Sequence, residues 1–432
     1  MPLPLVRAAW LALALLLAGC ASHAPRPASS GSTADAAAPL PAAASPATLL
    51  LVSLDGVRAG YLHRGHTPNL DQLAREGASA DGMRPSYPSL TFPNHYTLVT
   101  GLRPDHHGII NNTMQDDQLG GFALSNRDAV ADARWWSGEP IWVGAERAGL
   151  RSATMFWPGS EAAVSGVRPG AWYPFDKNLA IDERIGRVIA WLDLPPAQRP
   201  RVITLYLEQV DTAGHDHGPD SPEVAAALGA VDAAIGRLRQ HIALHANASP
   251  VNLIVVSDHG MAATSPDRLI AVESIAPPDL ATAIAPGQVV GFVPRAGQAA
   301  AVAERLLRTH EHFQCWRKQD MPPRWHYGSH PRIPPFVCQA DEGWLLVRQS
   351  SIDAWRAKGW IGGGAHGYDP ALPSMEAIFL ASGPAFQPGA RIAAFDNVDV
   401  YPLLARLLGI PPAPHDGNPE TLLPLLRPTP QR

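Results

Sequence analysis

The sequence predicts an α/β fold: a mostly parallel central sheet covered by helices, with a smaller inserted subdomain. Two observations carry this. Three continuous apolar runs of strand length occur in ATLLLVSLDG, RVITLYLEQVD and VNLIVVSDHG, each followed shortly by an Asp. A strand buried on both faces reads as such a run, not as an alternating pattern. Stretches with helical periodicity lie between the runs, and strands alternating with helices at this spacing build a parallel sheet. The Asp residues matter because ligands in open α/β sheets gather at the carboxyl ends of strands.

The chain has 432 residues, enough for one large domain or two modest ones. With 46% hydrophobic and 17% charged residues, a globular core is well supplied. The net charge of −5 and the lack of a long basic run argue against a nucleic-acid scaffold. Residues 1–20, MPLPLVRAAWLALALLLAGC, place Arg7 before an apolar stretch at 8–17. That stretch is shorter than the roughly 20 residues of a membrane span and fits an export signal. Its end, Leu17-Ala18-Gly19-Cys20, resembles a bacterial lipobox. The resemblance implies a lipid anchor on Cys20, and Ala21 favours the periplasmic side of the outer membrane. Without use of the lipobox, the protein would be secreted or periplasmic. Residues 21–47 are Ala, Pro and Ser with little else, a tether that cannot bury enough apolar surface to fold. The remaining cysteines, Cys315 and Cys338, form a plausible disulfide in that compartment; two separate buried thiols are the alternative.

Order begins at residue 48, with a strand over 48–54 ending at Asp55-Gly56. HTPNLDQLAREG (66–77) reads as a helix with Leu70, Leu73 and Ala74 on one face and Gly77 as its cap. SYPSLTFPNHYTLVTG (86–101) places Thr91 just ahead of a helix start, Pro93 in the first turn and Gly101 as the closing residue. Helices are expected at 139–150, 181–193 and 222–245, and strands at 151–157, 201–211 and 251–260. From 265 to 360 the pattern turns irregular and rich in Pro, Trp and His, with one clear helix at 301–310 and one strand at 344–349. This is the expected insert, dividing a catalytic domain into 48–264 and 361–425. MEAIFLASG supplies a further strand and NVDVYPLLARLLGI a closing helix.

Four places carry candidate chemistry: Asp55, Asp211-x-x-x-His215, Asp258-His259 and His366. Each alone reads as a turn or loop residue. Together, three Asp and three His at converging strand ends would cost several kcal/mol per buried ion unless metals compensate them. Mixed His/Asp donors suit Zn²⁺ better than Mn²⁺, Co²⁺ or Fe. Six donors divide into two sets of three, and paired metals about 3.5–4 Å apart clamp a phosphoryl group. Coordination would also lower the pKa of the Thr91 hydroxyl and make it a nucleophile.

The strings LVSLDGVR, PSLTFPNHYTLVTGLRPDHHGIINNTM, YLEQVDTAGHDHGP, VVSDHGM and GGGAHGYD resemble the nucleotide pyrophosphatase/phosphodiesterase family of the alkaline phosphatase superfamily, from about residue 48 to 415. The resemblance implies an alkaline-phosphatase-like three-layer fold and two zinc ions per chain. Asp55, Asp258 and His259 would hold one beside Thr91, and Asp211, His215 and His366 the other. Asn112 matches the residue that hydrogen-bonds a phosphate oxygen, with Asn111 a weaker candidate. Phe92 would stack a nucleobase, opposite a second aromatic for which Phe175 is favoured over Tyr173. The implied reaction is two in-line displacements through a covalent threonine ester, releasing nucleoside 5′-monophosphates from a nucleotide substrate. No Arg adjoins Thr91 and no C/S-x-P-x-R string occurs, which disfavours monoesterase and sulfatase relatives. A phospholipid or phosphonate diester hydrolase with the same two-metal site is the alternative, and a monomer is expected. His95 reads as structural. His106, His107 and His217 could orient ligands, while His326 and His330 belong to the insert.

Overall fold

The computed structural model describes residues 47–246 and 249–428. The expected signal segment, Cys20 and the tether as far as residue 46 lie outside the described residues. Among those described, no helix is long and apolar enough to cross a membrane. The described residues belong to one compact unit.

Eight strands make the central sheet. In chain order they are β1 (Thr48–Leu54), β2 (Ala78–Ala80), β3 (Ser152–Met155), β4 (Ala171–Tyr173), β5 (Val202–Leu207), β6 (Val251–Val256), β7 (Phe379–Ser382) and β8 (Arg391–Ile392). Their spatial order is β8-β2-β7-β6-β1-β5-β3-β4. β6, β1, β5, β3 and β4 run parallel, and β7 is antiparallel to both of its neighbours. β1 sits between β5 and β6, with Leu54 opposite Leu207 and Ser53 opposite Val256. This register brings the ends of all three strands to one edge.

Every residue of β1 is buried, as its unbroken apolar run requires. Its side chains alternate between two cores. Leu49 and Leu51 pack with Leu98, Val99 and Leu404 on one face. Leu50, Val52 and Leu54 pack with Leu70, Leu73, Val188 and Ile235 on the other. Helices on both faces give three layers. They are α1 (Pro68–Glu76), α2 (Thr91–Thr100), α3 (Pro104–His107), α4 (Ile141–Arg147), α5 (Ile181–Leu192), α6 (Gln209–His217), α7 (Pro222–His245) and α8 (Val400–Leu408). α2 ends at Gly101 with φ +66°, the left-handed cap its sequence suggested.

Between residues 281 and 340 a separate four-stranded antiparallel sheet forms from Ala281–Ile284, Val289–Pro294, Phe336–Ala340 and Phe313–Arg317, in that spatial order. Cys315 and Cys338 are directly opposite in it and form a disulfide. The expected strand near 344–349 is Leu345–Val347, paired with Leu269–Ala271. Trp325 stacks on Tyr87 at 4.2 Å. The Asp105 carboxylate accepts the N–H groups of Gly328, Ser329 and His330. These contacts fasten the 265–360 stretch to the loop before α2 and to α3.

Candidate metal centre and nucleophile

Thr91 is the first residue of α2, so the expectation that it lies just ahead of the helix shifts by one position. Leu90 is the N-cap and, having no side-chain acceptor, leaves the first N–H groups to other partners. The Phe92 N–H finds one in Asn112 Oδ1, at 2.9 Å. This bond orients the Asn112 amide and leaves its two Nδ2 hydrogens to donate. Asn111 is committed locally, its Oδ1 accepting the Thr113 N–H at 3.1 Å. Thr91 is buried, and its Oγ1 lies 3.3 Å from His259 Nε2.

The remaining candidates meet around this hydroxyl. Asp55 leaves the end of β1, Asp211 lies in the first turn of α6 after β5, and Asp258 and His259 follow β6. The approach of β1 to α6 is close at Gly56, where a Cβ would come within 3.0 Å of Asp211 Cα; its φ of +71° also favours glycine. His259 Nε2 lies 2.9 Å from Asp258 Oδ2 and 3.5 Å from Asp55 Oδ1. Asp211 Oδ1 lies 3.5 Å from both His215 Nε2 and His366 Nε2. Asp55, Asp211 and His259 also offer donor atoms within 4.8 Å of one another. The two sets therefore adjoin, with Asp211 between them.

Backbone carbonyls fix the three imidazoles. His215 Nδ1 faces Gly364 O, His259 Nδ1 faces Gly260 O, and His366 Nδ1 faces Ser89 O, each at 2.9 Å. A carbonyl only accepts, so each Nδ1 carries a proton and each Nε2 is aimed at the cluster. Burial disfavours a second proton on His259, but Asp258, at 2.9 Å from its Nε2, outweighs burial and raises its pKa. The lone pairs of His215 and His366 then face each other at 3.0 Å. Asp55 Oδ1, Asp211 Oδ1 and Asp258 Oδ2 are buried without a hydrogen-bond donor.

Burial pushes the Asp55 carboxyl well above its usual range, and the Asp258 and Asp211 carboxylates push the same way. Burial raises Asp211 as well. It works against Asp258 too, but His259 and His95 outweigh it and hold that carboxyl well below the usual range. Burial, with His259 and His215, keeps the His366 imidazole well below its usual value. Three carboxylates, Asp55, Asp211 and Asp258, outweigh the positive charge that His259 can supply. Cations bound by the facing lone pairs and the unpaired oxygens would supply the rest, so the residues fit a metal centre.

His95 holds this cluster from beneath. Its Nδ1 donates to Thr91 O at 2.8 Å and lies 3.2 Å from Asp258 Oδ2, so its Nε2 accepts from Ser53 Oγ at 2.8 Å. Both nitrogens are used, which accords with a structural reading. Of the other histidines, His106 turns away to Asp416 Oδ2 at 2.7 Å and orients no ligand. His217 is exposed at the end of α6. Two residues escaped sequence reasoning. Tyr206 Oη donates to Asp55 Oδ2 at 2.6 Å. Asn94 accepts from Ser86 N and Asn397 Nδ2 and donates to Pro88 O and Leu90 O, bracing the loop that delivers Thr91. Tyr206 lies inside an apolar run and Asn94 in the first turn of α2, and nothing in the sequence marks a polar partner for either.

A cavity of about 270 Å³ opens from Thr91, with Phe92, Phe156, Phe175 and Tyr206 among its walls. Phe92 is backed by Phe122 and Trp136 at 6.0 and 5.9 Å. Phe175 is 37% exposed and meets Phe156 edge-on at 5.4 Å. Tyr173, the second choice for that wall, is drawn away from the cavity. It stacks on Trp191 at 5.8 Å and lies under Arg187 at 4.3 Å. A larger cleft of about 1040 Å³, between residues 115–119 and the 282–335 region, contains neither Thr91 nor any metal-donor candidate.

Residues 49–369 match the family model described as type I phosphodiesterase / nucleotide pyrophosphatase. A pyrophosphatase/phosphodiesterase of Schizosaccharomyces pombe is 39% identical over 395 residues, covering 88% of this chain and 80% of the relative. Ectonucleotide pyrophosphatase/phosphodiesterase family member 3 of Bos taurus is 39% identical over 88% of this chain, but the match spans only 44% of that protein. The chain thus covers less than half of this longer relative. Among solved structures, human ectonucleotide pyrophosphatase/phosphodiesterase 5 is similar with a TM-score of 0.82 and 34% identity, covering 88% of this chain and 100% of that one. The murine form, solved as an inactive variant in complex with AMP, gives a TM-score of 0.82 at 33% identity, with 88% and 100% coverage.

Proposed function

Since the chain belongs to the type I phosphodiesterase / nucleotide pyrophosphatase family, we propose that it is a metal-dependent hydrolase that cleaves phosphodiester and pyrophosphate bonds of nucleotides and releases nucleoside 5′-monophosphates. One observation carries the reading. The Thr91 hydroxyl sits at a helix N-terminus, 3.3 Å from His259 Nε2, between a cation-deficient cluster and an aromatic-walled cavity. The AMP complex of the murine relative supports a nucleoside monophosphate as the bound product.

Asp55, Asp258 and His259 would hold one divalent ion and Asp211, His215 and His366 a second, zinc by donor type; these ions would lower the hydroxyl pKa and neutralise developing charge. Thr91 Oγ1 passes its proton to solvent and attacks phosphorus, forming a P–O bond as the bond to the leaving oxygen breaks and that oxygen departs with the electron pair. The product is a threonine ester that still bears the nucleoside. Water then attacks phosphorus in line, restores the hydroxyl and frees the monophosphate. Asn112 Nδ2 and the Thr91 N–H stabilise charge on a non-bridging oxygen, aided by the positive end of the helix. Phe92 and Phe175 hold the base between them. The 265–360 stretch acts as an inserted subdomain that buttresses the loop before Thr91.

Purified zinc-loaded protein should cleave ATP, bis-p-nitrophenyl phosphate and thymidine 5′-p-nitrophenyl ester well ahead of p-nitrophenyl phosphate. Preference for the monoester would overturn the reading. Faster cleavage of a choline-headgroup diester than of the thymidine ester would favour the phospholipid alternative. The same proposal places the enzyme as a monomer lipidated at Cys20, on the periplasmic side of a bacterial outer membrane. Release of a Cys20→Ser variant into the soluble fraction tests the anchor.

A further inference from the structure

We propose that Asp193, His241 and His245 form a separate metal site, far from Thr91, that binds one divalent transition-metal ion such as zinc. The topology sets its position. α7 begins after α6 at the carboxyl ends of the strands and runs back to the loop that enters β6 at Val251. α5 likewise runs back to the loop that enters β5 at Val202. Their C-terminal ends therefore lie together at the opposite edge of the sheet from Thr91, with Leu192 and Leu238 in the same core.

His241 and His245 are four residues apart on α7, so their side chains stand one above the other on one face. Their ring centroids are 4.6 Å apart with the planes inclined by 36°. Asp193, the C-cap of α5, brings its Oδ1 to 2.9 Å from His241 Nε2. One donor atom from each of the three residues lies within 4.8 Å of the other two. Two imidazoles and a carboxylate suit zinc and leave a fourth position for water. Donors around a tetrahedral zinc, with bonds of about 2.0–2.1 Å, sit about 3.3 Å apart. Asp193 and His245 are exposed and can close the remaining distance by side-chain rotation, while the half-buried His241 is the fixed point. Among the described residues, Asp193 pairs with His241 and with no Lys or Arg, so its charge remains for an ion. Bound there, the ion would pin the last turn of α7 to the end of α5.

Two histidines at a helix C-terminus can also serve only as dipole partners, paired to a nearby Asp. Metal counting separates the two roles. Full-length protein is dialysed to equilibrium against buffered zinc and its metal content measured by mass spectrometry. Wild type should retain one more equivalent per chain than the His241→Asn/His245→Asn double variant, whatever number the main centre holds. Hydrolysis of thymidine 5′-p-nitrophenyl ester should be equal in the two. Equal zinc content would overturn the proposal. If the double variant fails to fold, the exposed Asp193→Asn change decides. It should weaken the extra equivalent by at least the roughly tenfold that loss of an outer partner costs at metal sites, and unchanged affinity overturns the proposal.

Discussion

His107 offers a pH test of the packing beneath α2, the helix that carries Thr91. It ends α3 and is fully buried against α2. Its Nε2 lies 3.1 Å from Pro93 O, a group that only accepts, so Nε2 carries the proton. Nδ1 then accepts the Ile109 N–H at 3.1 Å. A second proton would have to enter at Nδ1 and strip that buried N–H of its acceptor. Burial accordingly lowers the His107 pKa from 6.5 to about 3. An unfolded chain takes up the proton near pH 6.5, whereas the folded chain resists until about pH 3. Between these values the unfolded state binds more protons, so stability rises with pH. The contribution is complete above pH 6.5 and falls away as pH drops toward 3. At pH 5 the loss is about 1.5 × 1.36, or ~2 kcal/mol. Urea unfolding at pH 7.5 and pH 5, on wild type and His107→Gln, reads this directly. The metal centre titrates alike in both proteins and cancels in the difference. Wild type should lose about 2 kcal/mol more than the variant over that interval. Equal losses would show that His107 is not held neutral by burial.

Other perturbations address the centre itself. Thr91→Ala should lower turnover of a nucleotide diester by about 10³-fold or more while leaving the zinc content within error, as counted by mass spectrometry. Tyr206→Phe removes the 2.6 Å hydrogen bond to Asp55 Oδ2 and should weaken zinc binding about tenfold in competition with a chelator; an unchanged affinity would mean that this bond does not orient Asp55. Phe175→Ala should raise KM for thymidine 5′-p-nitrophenyl ester about tenfold, the value of one stacked base, and leave KM for bis-p-nitrophenyl phosphate nearly unchanged. A Tyr173→Ala variant serves as the control, because that ring is engaged with Trp191 and Arg187.

The sheet was legible because its central strands are buried on both faces. The runs at 48–54 and 251–256 have no alternative as exposed or half-exposed segments. The short strands β2 and β8 at one side of the sheet, of three and two residues, carry no such pattern and escaped notice. The residues of the candidate cluster could be singled out for a related reason. An Asp at the exit of a buried strand stands out against the apolar background: Asp55 follows Leu54 directly, and Asp258 comes one residue after the end of its strand at Val256. The aromatic wall was harder to read. AWYPFD offers three rings in four residues, and composition cannot say which one faces the cavity. Pairing decides it: Tyr173 is the last residue of β4 and packs against α5, so only beyond the strand does the chain free Phe175 to turn toward Thr91.

The position of Thr91 depends on polar groups that no periodicity reveals. α2 is buried along nearly its whole length, and an apolar helix in that place could rotate or slide among equivalent packings. Three ties, from Asn94, His95 and Thr97, prevent this. Asn94 uses its amide on four partners in the preceding loop and at Asn397. His95 links Ser53 of β1 to the Thr91 carbonyl. Thr97 meets His107 at 3.1 Å. Each group would cost about 1–3 kcal/mol if left unpaired in the interior, so any displacement of α2 forfeits several such bonds together. Apolar packing would tolerate a small displacement, but in-line attack at a reaction centre does not. The same bonds that stabilise α2 therefore fix the direction of the hydroxyl. Variants at Asn94 should accordingly reduce turnover before they reduce the melting temperature in proportion.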